Sequence, residues 1–167
     1  MKIENLVDFL LEVYKLKEIK RKGWIVKVNI NEAESVASHT FGMLLLASII
    51  YNKSDLMKNI SLHDIAEIKI GDLLPEEKDK ELEKKVYEEI VKNVAKDWNL
   101  PKSLDEIFRL EKIKELDRLD MALQALYYKE KGYPKEKLRE FIVSAEKEIK
   151  SKELKEILEE IKKRFEK

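Results

Sequence analysis

Two histidines, His39 and His63, are the only imidazoles in a 167-residue chain of which 41% is charged. His63 is followed directly by Asp64 and, four residues on, by Glu67. Imidazole nitrogen combined with carboxylate oxygen is a donor set for a borderline or hard divalent cation, with positions left open for water and substrate. At helical spacing His63 and Glu67 fall on one face and Asp64 is turned about 100° away, so a shared ion must lie at a helix edge facing a crossing helix. His39, on a separate apolar segment upstream, can reach across such a crossing. A fourth ligand is available in Glu115-Leu116-Asp117-Arg118-Leu119-Asp120, where Asp117 and Asp120 stand three apart on one helical face bordered by Ile113, Leu116, Met121 and Leu123. A plain structural role is open to each: His39 as a hydrogen-bonded core residue, the two aspartates as partners of Lys114 or Arg118. Spacing alone leaves both a metal centre and a structural polar cluster open.

Holding these side chains together requires helices. Only four glycines and three prolines interrupt the chain, and apolar residues recur at intervals of three and four, which predicts an all-α, single-domain bundle of about six to eight helices over residues 1–167. Leu6, Phe9, Leu10, Val13 and Tyr14 form one face of a first helix that ends before the basic run Lys15 to Lys22. Trp24 to Ile30 has no partner strand and reads as a loop. Ser35 is a candidate cap for a helix from Val36 to Tyr51, apolar on most sides and therefore central and buried, with His39 in its first turns. Asp55 is a candidate cap for the next, which runs through Met57, Ile60 and Leu62 into His63-Asp64-Ile65-Ala66-Glu67 before Gly71-Asp72 and Pro75 break it. A Lys/Glu-rich helix is expected from Pro75 to Trp98, with Leu82, Val86, Ile90 and Val94 as its stripe and its charges as a solvated face. Ser103 caps a helix reaching Lys131 and stopped by Gly132; one or two terminal helices follow.

Composition narrows the function classes. Thirty-four basic residues balance thirty-four acidic ones, so no global charge steers the chain toward a nucleic acid polymer or an anionic membrane. The longest apolar run, Phe41 to Tyr51, is well short of the roughly 18 residues of a membrane span, and Met1-Lys2-Ile3-Glu4 does not open a signal peptide, which makes a cytoplasmic location the expectation. With no cysteine there is no thiolate nucleophile and no Cys-ligated zinc, leaving histidine and carboxylates as metal ligands.

The order His39, then His63-Asp64, then a distant aspartate resembles the HD-domain metal-dependent phosphohydrolases. Four blocks carry a narrower likeness: Arg21-Lys22-Gly23-Trp24, Glu34-Ser35-Val36-Ala37-Ser38-His39, His63 to Glu67 with Gly71-Asp72, and Leu116-Asp117-Arg118-Leu119-Asp120-Met121. Together they look like the branch holding the 5'-deoxynucleotidases and oxetanocin-type hydrolases. That resemblance implies His39, His63, Asp64 and Asp117 as metal ligands, Asp120 behind them, and Glu67 and Asp72 as catalytic carboxylates near the attacking water. It also implies Arg21 or Lys22 at the phosphate and Trp24 against the sugar.

The chain departs from the family in carrying Ser38 where relatives often have an acid, and in placing Gly23 between the basic pair and Trp24. Lys78 to Leu110 follows the family pattern poorly and is a candidate for the base end of the pocket. The implied activity is hydrolysis of deoxyribonucleoside 5'-monophosphates by a homodimer using Mn, Co, Mg, Ni or Zn. Glu67 is the expected general base because it shares a helical face with His63. Another phosphate ester as substrate (a nucleoside triphosphate, a cyclic nucleotide or a phosphorylated metabolite) and a non-catalytic nucleotide-binding module are the alternatives.

Overall fold

The longest helix organises the rest. In the computed structural model, which describes residues 2–167, it spans Lys112–Glu130 and is the seventh of nine α-helices among the described residues. The others are α1 (Ile3–Tyr14), α2 (Val36–Ile50), α3 (Ser54–Leu62), α4 (Glu67–Ile70), α5 (Lys80–Val91), α6 (Leu104–Phe108), α8 (Lys135–Glu148) and α9 (Lys152–Glu166), with no strand among the described residues. Met1, with which both the expected domain and the segment tested for a signal peptide begin, lies outside them. α7 packs against α2, α3, α8 and α9. Ala122 and Ala125, fully buried on α7, and Ala145 on α8 keep the helices close enough for their larger neighbours to interlock.

The all-α expectation holds, and the helix count rises because two expected helices are each broken. The helix expected to run through His63 to Glu67 ends at Leu62. Hydrogen bonds then tighten to three-residue spacing, from Ile65 N to Leu62 O at 3.3 Å and from Glu67 N to Asp64 O at 3.0 Å. His63 Nδ1 meets Ile60 O at 2.7 Å, taking the carbonyl that Asp64 N–H would use in a continuing α-helix. Asp55 does not cap α3; it sits in the first turn, where its charge favours the helix dipole. The helix expected from Ser103 to Lys131 breaks after Phe108 and resumes at Lys112, while Ser103 caps as anticipated by accepting from Glu106 N. Between Pro75 and Trp98 only Lys80–Val91 is α-helical, capped by Asp79 rather than started by the proline, and Leu82 is solvent-exposed instead of packed.

Two further expectations change near the N-terminus. Trp24–Val28, expected as a loop, is one π-helical turn closed by Asn29 in the left-handed region at φ 67°. The wide turn puts Trp24 and Val28 on the same, buried side. α2 starts where Ser35 accepts from Ser38 N and buries Val36, His39, Met43 and Ala47 against α3 and α7. It is not covered on most sides: Phe41, Leu45 and Ile49 are 66%, 49% and 73% exposed on the opposite face. Ile19 O and Glu34 O accept from Val36 N and Arg21 N at 2.8 and 2.9 Å, which ties the basic segment to the start of α2.

Glu115 on α7 closes the far end of the bundle by accepting from Lys150 N and Ser151 N at 3.1 and 2.9 Å and from the Ser151 hydroxyl, at the start of α9. Removing that acceptor strands two backbone donors in a half-buried position. Glu115→Ala is therefore expected to lower stability by about 1–3 kcal/mol in chemical denaturation, with the metal affinity of the folded protein unchanged.

Candidate metal centre

His39 on α2, His63 at the end of α3, Asp64 in the tight turn after it and Asp117 on α7 converge where three elements cross. One ligand atom each from His39, His63 and Asp117 lie within 4.8 Å of one another. Asp64 Oδ2 stands 3.0 Å from His63 Nε2 and 4.0 Å from His39 Nε2, and Asp117 Oδ1 is 3.1 Å from His39 Nε2. Despite these distances, His39 Nε2, His63 Nε2 and Asp64 Oδ2 have no aligned hydrogen-bond partner and are buried.

The opposite ring nitrogens explain why. His63 Nδ1 can only donate to the carbonyl of Ile60, and His39 Nδ1 faces Asp120 Oδ2 at 2.7 Å. A neutral ring that donates from Nδ1 carries a bare lone pair on Nε2. Two such lone pairs and two carboxylates pointed at one place repel unless a positive charge lies between them. Nitrogen and oxygen donors of this kind are what a divalent ion takes, and two of the pairs stand only 3.0 and 3.1 Å apart. The donor set therefore fits a divalent ion.

A proton is the ion's competitor. Burial and the Arg21 charge work against a protonated His39, but the carboxylates of Asp117 and Asp120 at the two ring nitrogens outweigh them and push its pKa up to about 10. Burial likewise works against the Asp64 and Asp117 carboxylates. His63, Arg21 and His39 nevertheless hold Asp64 far below the usual carboxylate range, and His39, Arg21 and Arg118 do the same for Asp117.

The other anticipated residues separate in role. Gly71, at φ 77°, ends α4 and turns the chain so that Asp72 comes back to the basic segment. Asp72 Oδ1 accepts from Arg21 Nη1 at 3.2 Å and Oδ2 from Lys22 N at 2.5 Å, so both its oxygens are engaged. Arg21 also stands 3.9 Å from Asp64 and from Asp117, and its pKa is raised because these carboxylates overcome the cost of its burial. The Lys22 ammonium points away, to Glu77 at 2.5 and 2.7 Å. Glu67 is buried with neither oxygen hydrogen-bonded, and Lys78 Nζ is 3.6 Å away. Burial pushes the Glu67 carboxyl well above the ordinary range, Asp64 and Asp72 push it further, and Arg21 and Lys78 only partly offset them.

Trp24 is 2% exposed, packs on Phe141 with ring centroids 4.0 Å apart and donates from Nε1 to Glu34 at 2.8 Å. Its remaining surface joins Arg21, His63, Asp64, Asp72 and Asp117 in the wall of a cavity of about 380 Å³. Leu73, Leu74, Pro75, Phe108, Met121 and Phe141 add apolar wall, and Lys78, Lys114 and Arg118 add positive charge. His39 and Glu67 lie buried behind that wall.

Sequence reasoning offered Lys78 and Phe108 only as parts of the segment Lys78 to Leu110 and did not find Phe141. Lys78 is one lysine in a lysine-rich stretch, and only the folded loop brings it to Glu67. Phe108 and Phe141 carry ordinary helical spacing, and nothing in it separates a core ring from a cavity wall.

The fold and site define a helical bundle with a His/carboxylate cluster that fits a divalent ion, beside a cavity walled by both basic and acidic side chains. The model of the HD domain matches residues 13–162, and the chain belongs to that family. It is 31% identical to 5'-deoxynucleotidase HDDC2 of Danio rerio over 86% of this chain and 80% of the relative, and 28% identical to that of Homo sapiens over 94% and 84%. 5'-Deoxynucleotidase YGK1 of Saccharomyces cerevisiae is 31% identical over 88% of this chain and 77% of its own length. Among solved structures, a conserved hypothetical protein from Pyrococcus furiosus superposes with a TM-score of 0.68 at 30% identity, covering 94% of this chain and 99% of that one.

Because His39 must lose its proton to offer Nε2 to a metal, binding releases a proton below pH 10. Apparent metal affinity is expected to rise with pH, by up to about tenfold per unit, and to level off above about pH 10. Calorimetric titration in buffers of different ionisation enthalpy reads the proton count directly; an affinity that does not change between pH 6 and 8 contradicts it.

Proposed function

We propose that this chain is a metal-dependent 5'-nucleotidase that hydrolyses deoxyribonucleoside 5'-monophosphates to nucleoside and orthophosphate. The observation that carries the reading is the convergence of buried, unpartnered ligand atoms of His39, His63 and Asp64, with Asp117, under a cavity that also holds Arg21. The relatives named as 5'-deoxynucleotidases match over most of their length, which supports the choice of substrate. The cavity volume of about 380 Å³ falls in the range of small-ligand sites.

His39, His63, Asp64 and Asp117 hold the ion; imidazole and carboxylate oxygen admit Mn, Co, Mg, Ni or Zn. When bound, it supplies a Lewis acid at the phosphoryl oxygens and lowers the pKa of water there. Arg21 presents a planar fork to the phosphate, held in aim by Asp72. Lys22 serves through its backbone N–H, which fixes Asp72, while its ammonium stays with Glu77. Trp24 gives the sugar an immobile apolar wall. Both Asp72 oxygens are hydrogen-bonded and neither Glu67 oxygen is, which favours Glu67, once ionised, as the group that takes the proton of the attacking water and Asp72 as the residue that positions Arg21.

The same reading has the chain acting as a single-domain cytoplasmic protein in a homodimer. No described helix is long and apolar enough to cross a membrane. α2 contains no Asp, Glu, Lys or Arg and its His39 is on the buried face, so its open stripe of Phe41, Leu45 and Ile49 can pack against its own copy without burying a charge.

A phosphate-release screen crossing deoxynucleoside 5'-monophosphates, nucleoside triphosphates and cyclic nucleotides with divalent ions tests the activity. Orthophosphate from the monophosphates is expected. His63→Ala and Asp64→Ala should each lose more than the 10- to 100-fold typical of residues behind a metal ligand, and parent-like rates in both, with metal supplied, refute the site. Glu67→Gln should lower kcat by about 10²–10⁴-fold, whereas Asp72→Asn should act mainly by raising KM. Light scattering should give twice the 19.8 kDa chain mass, and Phe41→Asp with Ile49→Asp should halve it.

A further inference from the structure

Gly42 lies in the interior of α2, one turn after His39, with a negative φ. Glycine is a poor helix former there, and the backbone conformation gives no reason for it. The reason is space. A Cβ built on Gly42 would stand 2.1 Å from Asp120 Oδ1 and 3.0 Å from its Cγ, too close for any real side chain. The Asp120 carboxylate thus rests directly on the bare backbone of α2, and its other oxygen, Oδ2, holds His39 Nδ1 at 2.7 Å. Asp120 is buried and comes from the interior of α7, so it cannot retreat far without moving that helix. The remaining three glycines show no such conflict: a Cβ on Gly23 would make ordinary contact at 3.8 Å, and those on Gly71 and Gly132 would meet nothing within 4 Å.

We infer that Gly42 is a positioning residue for the metal centre: the missing side chain lets Asp120 approach α2 closely enough to aim His39 Nε2 at the ion. It acts through two others, Gly42 admitting Asp120, Asp120 fixing the tautomer and tilt of the His39 ring, and the ring presenting its lone pair. This rests on the metal-centre reading but not on the choice of substrate. α2 consequently carries a residue that weakens the helix in order to place a ligand on it.

The test is metal affinity, measured by calorimetry or chelator competition without substrate, for the parent, Gly42→Ala, Asp120→Ala and the double variant. Gly42→Ala is expected to weaken binding by roughly 10- to 100-fold, the range for residues behind a metal ligand. In the Asp120→Ala background the same substitution should change affinity by less than about twofold, because the atoms it collides with are gone. A merely structural glycine would show equal effects in both backgrounds. Parent-like affinity in Gly42→Ala, or effects that multiply in the double variant, overturns the inference. If Gly42→Ala folds poorly, the double variant should recover folding, and one that is equally defective also overturns it. A parent chain that binds no divalent ion refutes the metal-centre reading itself.

Discussion

The structure depends on one electrostatic conflict. Two buried imidazole Nε2 atoms, each left with a lone pair when its ring is neutral because the opposite nitrogen is held, face the Asp64 and Asp117 carboxylates about 3 Å away. Without a cation this arrangement is repulsive, and burial makes it more so because water cannot screen it. A proton on His39 and the guanidinium of Arg21 relieve part of the repulsion: Asp117 and Asp120 push His39 up, while His63, Arg21 and His39 hold Asp64 down and His39 and Arg21 hold Asp117 down. A divalent ion would relieve it more completely.

Several irregular features of the fold serve that convergence. The break after Leu62 releases His63 and Asp64 from helical geometry, so adjacent residues can both reach one ion. On an uninterrupted helix they would point about 100° apart. The turn at Gly71 returns Asp72 to Arg21, and the short backbone pairing of residues 19–21 with 34–36 moors Arg21 to the start of the helix that carries His39. The π-helical turn at Trp24 places an aromatic wall beside the basic segment.

The regular elements supply rigidity. α7 is packed on several sides and carries Asp117 toward the cavity and Asp120 toward α2, three residues apart and therefore on neighbouring lines of one face. One helix thus supplies the carboxylates at both ring nitrogens of His39, which couples their positions. Glu67 and Asp72, similar in type and near in sequence, end in opposite conditions: one with neither oxygen hydrogen-bonded and its pKa raised, the other with both oxygens hydrogen-bonded. Residue type gave no means of separating them; hydrogen-bond occupancy does.

Much of this was legible in the chain itself. Periodicity and scarce glycine and proline determined an all-α fold, the caps at Ser35 and Ser103 were readable from residue type, and the rarity of histidine marked the centre. These are local properties, set by how neighbouring residues prefer to bond and which face they bury. What only tertiary structure decided is non-local: that His63 and Asp64 leave the helix, that Lys22 turns to Glu77, that Lys78 stands by Glu67, and that Gly42 yields its space to Asp120. Gly42 and Asp120 are 78 positions apart, and no preference of either residue specifies the other. Their contact exists because two packed helices leave room for a carboxylate only where one has no side chain.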